Sequence, residues 1–258
     1  MSDLLKLEVD GGIARLTIAN PPANTWTAES LSALERIVTD LNGRKDVTAL
    51  VITGEGDKFF SAGADLKLFA DGDKARARQM ARLFGRAFEA LSHYQGVSIA
   101  AINGYAMGGG LECALACDLR IAERQAVMAL PEASVGLLPC AGGTQNLPWL
   151  VGEGWAKRMI LLGERVDAET ALQIGLVEAV VDSGQALATA LDWAARSQRQ
   201  SPSSVRACKT LIQAARQNPM ALALPVEREL FVDLFDTEDQ REGVQAFLEK
   251  RSPQWRNQ

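Results

Sequence analysis

The chain has 258 residues, with 27 basic and 32 acidic side chains and a formal net charge of −5 at pH 7. Hydrophobic residues make up 47% and charged residues 23%, ordinary globular values that exclude an intrinsically disordered chain. The acidic balance counts against a general nucleic-acid or anionic-membrane binder. One large domain, or one with a small appendage, can bury a core at this length without metal or disulfide crosslinks.

Strand and helix patterns alternate along the first half of the chain. Apolar residues at helical spacing predict helices, and short β-rich runs that end in turn formers predict strands. The predicted elements are a hairpin of Leu4–Val9 and Ile13–Ile18, a helix over Thr27–Asn42, a strand over Ala49–Thr53, a helix over Arg76–Tyr94, a strand over Val97–Ile102 and a helix after the glycines at 108–110.

The second half of the chain is predicted to be mostly helical. Its predicted helices are Ala168–Ile174, Ala186–Ala195, Ser203–Gln217, Met220–Phe235 and Thr237–Lys250, with a strand over Leu176–Val181. Alternation first and helices last favour a layered α/β body followed by a helical region. With a soft boundary near Pro202, we predict an α/β core over residues 1–197 and a helical C-terminal region over residues 198–258.

Several common chemistries have poor support in this sequence. The single histidine, His93, lies near a predicted helix end with no nucleophile motif beside it, which disfavours a serine triad and leaves a metal site short of ligands. No phosphate-binding or dinucleotide-binding glycine motif fits. The four cysteines follow no disulfide framework, the N-terminus has no signal-peptide pattern, and no apolar run is continuous enough for a membrane helix. We therefore expect a cytoplasmic protein with reduced cysteines.

Two glycine-containing turns follow short apolar strands, at Phe59–Lys67 and Gly104–Glu112. Small side chains at a turn let a ligand approach the backbone closely, and the first N–H groups of a helix have no intrahelical partner. Two such turns side by side would hold one oxygen atom between two N–H donors, as an oxyanion hole. The alternative is that the glycines only permit close packing, and spacing alone favours that alternative.

A pair of glutamates sits in apolar sequence surroundings. Glu112 begins the helix after the triple glycine, and Glu132 follows a short apolar strand that ends in Pro131. Two carboxyl groups that face one cavity can hold a water and exchange protons without a metal or a cofactor. The alternative is a helix N-terminal charge for Glu112 and a turn residue for Glu132.

From about residue 5 to the C-terminus, the chain resembles the enoyl-CoA hydratase/isomerase (crotonase) superfamily. The resemblance rests on motifs that occur in order and at the right separations, although each alone is weak. They are Ser61-Ala62-Gly63-Ala64-Asp65-Leu66-Lys67, the run Asn103 to Asp118, Pro131-Glu132, Pro139 to Gln145, and Ala246-Phe247-Leu248-Glu249-Lys250-Arg251.

The resemblance implies a spiral of repeated ββα units whose C-terminal helices build a homotrimer, often paired into a hexamer. It implies that the Ala64 and Gly109 N–H groups form the oxyanion hole for an acyl-CoA thioester. Coenzyme A would enter as part of this substrate, with no separate cofactor and no metal. The positions implied for CoA binding are Ala62, Asp65, Leu66 and Lys67, with Phe247 and Lys250 reaching a neighbouring subunit's ligand; for Lys250 a solvated helix face is the alternative.

The glutamates indicate the subfamily. Members that hydrate a double bond keep both acids, whereas typical isomerase members keep the one matching Glu132, so the closest resemblance is to enoyl-CoA hydratase. Cys140 departs from the pattern, because hydratases usually have glycine at this amide near the reacting water. The alternatives are another reaction on this scaffold (isomerisation, thioester hydrolysis or decarboxylation) and a non-catalytic CoA-ester or RNA-binding protein.

Overall fold

An antiparallel hairpin opens the fold of the computed structural model, which describes residues 3–258. Strand β1 (Leu5–Asp10) pairs with β2 (Ile13–Ile18), whose side chains alternate between buried and half-buried. The predicted hairpin is therefore confirmed. Helix α1 (Ala28–Asn42) follows, and Thr27 caps it by accepting a hydrogen bond from the Ser30 backbone N–H at 3.2 Å.

Three ββα units follow the hairpin and α1. The first strand of each unit joins one sheet, and the second strand joins another. The units are β3 (Ala49–Gly54), β4 (Phe59–Ser61) and α2 (Lys74–Ser92); β5 (Val97–Ile102), β6 (Tyr105–Met107) and α3 (Gly109–Ala116); and β7 (Leu119–Glu123), β8 (Val127–Ala129) and α4 (Gly143–Leu161). The repeated ββα architecture expected from the resemblance is confirmed.

The remaining elements close the sheets and build the C-terminal region. They are β9 (Val166–Asp167), α5 (Ala168–Gln173), β10 (Ala179–Val181), α6 (Ala186–Ser197), α7 (Pro202–Ala214), α8 (Met220–Asp233) and α9 (Glu238–Leu248), with 3-10 helices at Leu66–Phe69, Glu132–Val135 and Leu234–Asp236. Among the described residues, one sheet has the strand order β1-β2-β3-β5-β7-β10 and the other β4-β6-β8-β9.

The large sheet is buried on both faces. On one face, the apolar sides of α1 and α2 pack over Leu16, Leu50 and Ile52. On the other face, α6 covers β3, β5 and β7 with a stripe of small residues at helical spacing, Ala186, Ala190 and Ala194. A parallel strand buried on both sides is typically a continuous apolar run, as β3 is.

Strands β6 and β7 and helix α4 are among the elements that escaped prediction, each for a local reason. Strand β6 has three residues and lies inside a glycine-rich run that reads as a turn. Strand β7 carries the charged Arg120 and Glu123, both buried, which interrupt its apolar pattern. Helix α4 contains Pro148 and breaks at Gly152, whose backbone has φ 77° and ψ 161°. Within residues 3–258, no helix is both long and apolar enough to span a membrane.

The C-terminal region differs from the core in its burial. Helices α7 and α8 bury none of their residues, and α8 exposes large apolar side chains that include Met220, Leu222, Phe231 and Val232. The predicted boundary at residue 197 falls at the end of α6, before these helices. The division into two domains, 1–197 and 198–258, stays a prediction, and its first two positions lie outside the described residues.

Candidate active site

The candidate site lies where three neighbouring strands of the smaller sheet end. Strands β4, β6 and β8 are parallel and adjacent, so their carboxyl ends meet at one edge. Ala64 follows β4, Gly109 follows β6, and Glu132 follows β8. The carboxyl edge of a parallel sheet is a common place for ligand sites, because the loops that leave adjacent strands converge there.

Two backbone N–H groups remain available at this edge. The Trp26 N–H donates to the Gly63 carbonyl oxygen at 2.8 Å and the Asp65 N–H to the Trp26 carbonyl oxygen at 3.4 Å, which turns the Ala64 N–H away from Trp26. Gly109 opens α3, so its N–H has no intrahelical acceptor. Neither amide donates a hydrogen bond within the part of the chain that the structure describes.

The two turns that carry these amides touch each other. A Cβ atom built on Gly63 would lie 3.0 Å from the Gly109 nitrogen and 2.6 Å from the Met107 carbonyl oxygen. Gly63 also has φ +87°, which an L-residue with a side chain adopts only under strain. The two turns therefore pack directly against each other, and the oxyanion hole at Ala64 and Gly109 stays a prediction.

Close packing explains other glycines of the same turns. A Cβ on Gly104 would lie 2.3 Å from the Lys58 carbonyl oxygen, and one on Gly110 would lie 2.1 Å from the Ser61 carbonyl oxygen. At these two positions the packing interpretation, offered as the alternative from sequence, is right. Packing thus accounts for Gly104 and Gly110, while the expected functional role of Gly109 stays a prediction.

Glu112 is a buried carboxyl group on the first turn of α3, 2% exposed. Its Oε1 accepts hydrogen bonds from the Ala141 N–H at 2.8 Å and the Gly143 N–H at 2.9 Å. Burial raises the pKa of Glu112 above its ordinary value, and the two amides oppose that rise. The amides fix the carboxyl group in position and help it to hold a negative charge.

Glu132 is half-buried at the start of the Glu132–Val135 3-10 helix. Its Oε2 is buried without a hydrogen-bond partner among the described residues. Burial, with a further contribution from the nearby Glu112 carboxylate, raises the pKa of Glu132 to about 7. Near neutral pH, Glu132 is therefore poised between donating and accepting a proton.

The two carboxyl groups lie close enough to each other for Glu112 to affect the pKa of Glu132. A Cβ on Gly108, the residue that precedes α3, would lie 3.0 Å from Glu132 Oε1, and a Cβ on Gly143 would lie 2.9 Å from Glu112 Oε1. Although residue Cys140 is exposed, partial burial of its thiol, with further contributions from the Glu112 and Glu132 carboxylates, raises the pKa of the thiol to about 11. At neutral pH this thiol is protonated and a poor nucleophile.

The positions implied for CoA binding surround the β4 turn. Ala62 is half-buried, and its N–H donates to the Ala23 carbonyl oxygen at 2.9 Å. Asp65 caps the Leu66–Phe69 3-10 helix by accepting from the Lys67 N–H at 3.1 Å. Leu66 and Lys67 are exposed. These four residues form the outer rim beside the two converging amides, and their contact with CoA stays a prediction.

Phe247 and Lys250 lie on the exposed end of α9. Phe247 is 83% exposed, and Lys250 follows the helix with φ 57°. Helix α9 packs on the Leu234–Asp236 3-10 helix, and its Asp239 accepts hydrogen bonds from the backbone N–H groups of Arg256 and Asn257 in the C-terminal tail. The structure thus places both residues on the C-terminal surface, and their expected role toward a neighbouring subunit remains a prediction.

Two contacts of the site escaped prediction. The amides of Ala141 and Gly143 hold Glu112, and neither residue was singled out in the sequence analysis. A small-residue run before a helix was the available signal, but α4 itself was hidden by its internal proline and glycine. Across residues 3–258, no group of three or more His, Cys, Asp or Glu side chains is placed to hold a metal ion.

Comparison with known proteins gives a consistent family relationship. The family model described as enoyl-CoA hydratase/isomerase matches residues 8–258. A short-chain-enoyl-CoA hydratase of Clostridium acetobutylicum is 37% identical over 95% of this chain and 94% of its own length.

Solved structures are similar to this chain across its full fold. The structure of Pseudomonas aeruginosa DspI is 69% identical with a TM-score of 0.97, covering 99% of this chain and 97% of that one. An enoyl-CoA hydratase from Bacillus anthracis is 34% identical with a TM-score of 0.95, covering 99% of this chain and all of the other.

Proposed function

Because the chain belongs to the enoyl-CoA hydratase/isomerase family, we propose that it adds water reversibly to a trans-2-enoyl-CoA, giving a 3-hydroxyacyl-CoA. The observation that carries the proposal is the proximity of the buried Glu112 and the half-buried Glu132, beside two available amides. The similarity to the short-chain-enoyl-CoA hydratase of Clostridium acetobutylicum supports it.

The amides supply the electrostatic part of the mechanism. Attack of water at C3 pushes charge through the conjugated system onto the thioester oxygen. The N–H groups of Ala64 and Gly109 stabilise the resulting enolate oxygen, and removal of one such donor in other enzymes costs about 3 kcal/mol. The Ala64 amide is held by the backbone hydrogen bonds that Trp26 makes with Gly63 and Asp65, and the Gly109 amide by the start of α3. Both amides therefore need little reorganisation during the reaction.

The glutamates supply the proton transfers. Glu112 accepts a proton from the attacking water, and the two amides that donate to its Oε1 stabilise its carboxylate form. Glu132, with a pKa near 7, helps to orient the water and delivers a proton to C2. Each positioned transfer typically contributes roughly 10²–10⁴-fold to the rate. Since the chain itself provides every group in this scheme, the proposed reaction uses no cofactor apart from the CoA of its substrate.

Substitution of each acid tests the assignment. Glu112→Gln and Glu132→Gln should each lower turnover of crotonyl-CoA roughly 10²–10⁴-fold, measured as loss of the conjugated thioester absorbance, while the CoA-ester dissociation constant changes little. Glu123→Gln is the matched control, because Glu123 is also buried but bonds to the Ala186 N–H and to Gln125. Hydration at a near-normal rate by either acid variant would contradict the assigned roles.

The same proposal extends to assembly. The exposed apolar side chains of α8 fit coverage by further copies of this chain, as a trimer or a pair of trimers, with Phe247 and Lys250 meeting a neighbour's substrate. Light scattering after gel filtration tests this, and Phe231→Glu should shift the mass toward the monomer.

We also propose a cytoplasmic location, which the free cysteines and the CoA-ester substrate support.

A further inference from the structure

Three aromatic side chains of the core contact one another in sequence. Trp26, Phe88 and Phe84 are each at most 3% exposed. The rings of Trp26 and Phe88 meet edge to face with their centroids 5.5 Å apart, and the rings of Phe88 and Phe84 meet edge to face with their centroids 5.7 Å apart. Edge-to-face contact is a favoured geometry for aromatic pairs. The three rings therefore form one continuous contact, the aromatic row, with Phe88 at its centre.

One end of the aromatic row lies against Gly109. A Cβ atom built on Gly109 would lie 2.9 Å from Phe84 Cε1 and 3.5 Å from Phe84 Cζ. The edge of the Phe84 ring therefore fills the space into which any other residue at position 109 would place its side chain. Since Phe84 belongs to α2, this contact supports the first residue of α3, whose N–H has no intrahelical acceptor. Loss of the ring would leave Gly109 and its N–H free to shift.

The other end of the aromatic row holds the residues on both sides of Ala64. The Trp26 N–H donates to the Gly63 carbonyl oxygen at 2.8 Å, and the Trp26 carbonyl oxygen accepts from the Asp65 N–H at 3.4 Å. The indole Nε1 of Trp26 is buried, and nothing in the described part of the chain accepts a hydrogen bond from it. Packing of the ring against Phe88, and not a side-chain hydrogen bond, therefore fixes the place of Trp26 beside the Ala64 turn.

We propose that the three residues of the aromatic row are positioning residues, which set the separation of the Ala64 and Gly109 amides. The inference rests on the proposed hydratase function and on the predicted oxyanion hole, and it adds the side chains that keep the hole in shape. Phe84 and Phe88 are four residues apart on α2, so they lie on the same face of one rigid helix. A displacement of about 1 Å at a reacting centre can cost roughly 10²-fold in rate, and loss of one ring should therefore lower kcat about 10- to 10²-fold.

Two substitutions at Trp26 separate the effect of its ring from that of its backbone. Trp26→Leu removes the ring and keeps the backbone donor and acceptor, whereas Trp26→Phe retains an aromatic ring beside Phe88. Phe84→Leu repeats the test at the other end of the aromatic row. Leu91→Val is the matched control, because Leu91 is also fully buried on α2 in the same core but lies outside the row.

Hydration kinetics with crotonyl-CoA and infrared difference spectra of bound butyryl-CoA report on the two amides. Hydrogen bonds to the thioester oxygen lower the C=O stretching frequency, and butyryl-CoA labelled with ¹³C at this carbon shows the downshift without reacting, because it has no double bond to hydrate. Trp26→Leu and Phe84→Leu should lower kcat about 10- to 10²-fold with KM nearly unchanged, and should reduce the downshift seen in the wild type. Trp26→Phe should recover most of both losses, and Leu91→Val should show neither.

The infrared measurement distinguishes positioning from stability, because a variant that is only less stable would bind less ligand at an unchanged frequency. A normal kcat and a full downshift in a folded Trp26→Leu or Phe84→Leu variant, or equal losses in Leu91→Val, would overturn the positioning role. Should Trp26→Leu fail to fold by circular dichroism, Phe84→Leu decides alone.

The same measurement separates this proposal from the proposed function. A wild-type downshift that Trp26→Leu or Phe84→Leu reduces, together with no hydration of any enoyl-CoA, would support the aromatic row and refute the hydratase function. A wild type that hydrates crotonyl-CoA but gives no downshift would refute the positioning role and leave the hydratase function standing.

Discussion

The pH dependence of stability should report the burial of Glu132. Its pKa is about 7 in the folded protein against an ordinary value of 4.5, because burial disfavours the charged form. An acid whose folded pKa is raised contributes stability that is fully present below the unfolded pKa and is lost as pH rises through the folded pKa. The wild type should therefore lose stability between about pH 4.5 and pH 7 on account of this group.

The size of the effect follows from the two pKa values. Their difference of 2.5 pH units, at about 1.4 kcal/mol each, sets a ceiling of about 3.5 kcal/mol. Water reaches part of this half-buried side chain, so we expect about 2 kcal/mol. Glu132→Gln removes the titration, and the comparison of pH slopes is independent of how well the amide packs.

Urea unfolding of both proteins at pH 5 and pH 8 measures this difference. The free energy of unfolding of the wild type, relative to Glu132→Gln, should fall by about 2 kcal/mol between these values, or by roughly 4–8 °C in melting temperature. The value of kcat/KM for hydration should fall as the pH rises above 7, because Glu132 then loses its proton. Parallel stability curves for the two proteins would show that the carboxyl group is not buried as described.

Three further predictions concern the surroundings of the acid pair. Gly63→Ala should lower both hydration and melting temperature, because the added Cβ lies within 2.6 Å of a main-chain carbonyl oxygen at a positive φ; kinetics and a thermal melt check this. In a Cys208→Ser background, Cys140 should react slowly with iodoacetamide at pH 8 and reach half its limiting rate near pH 11, and fast labelling at neutral pH would contradict the raised pKa. Lys209→Met should lower the free energy of unfolding by about 1–3 kcal/mol, because it leaves Asp118 partly buried without its ion pair, and unchanged stability in urea would show that the pair contributes little.

Much of the fold was predictable because its periodic patterns are long. Thr27–Asn42 differs from α1 only by its capping residue, and Val97–Ile102 coincides with β5. Each segment has apolar residues at the spacing typical of its structure, and clear turn formers at its ends. Strand β6, in contrast, has three residues, and its partners β4 and β8 are distant in sequence, so only tertiary pairing defines it.

The candidate site was predictable in its residue types but less so in its supports. Glu112 and Glu132 stand out in the sequence because glutamate is rarely buried without a partner, and both lie in apolar runs. The spacing of the glycines, however, favours close packing over a hole, and only the backbone contacts separate Gly109 from Gly110. The amides of Ala141 and Gly143 carry no side-chain signal, since every residue except proline has an N–H group.

The walls of the site differ in how much change they can accept. Gly108 and Gly143 touch the acid pair directly, so an added Cβ at 3.0 or 2.9 Å would displace a carboxyl oxygen. Cys140, in contrast, is exposed, and the hydrogen bonds to Glu112 come from the backbone of Ala141 and Gly143 and not from residue 140. A change of side chain at position 140 therefore leaves the donors of both hydrogen bonds in the chain, whereas an added Cβ at Gly108 or Gly143 would meet a carboxyl oxygen directly.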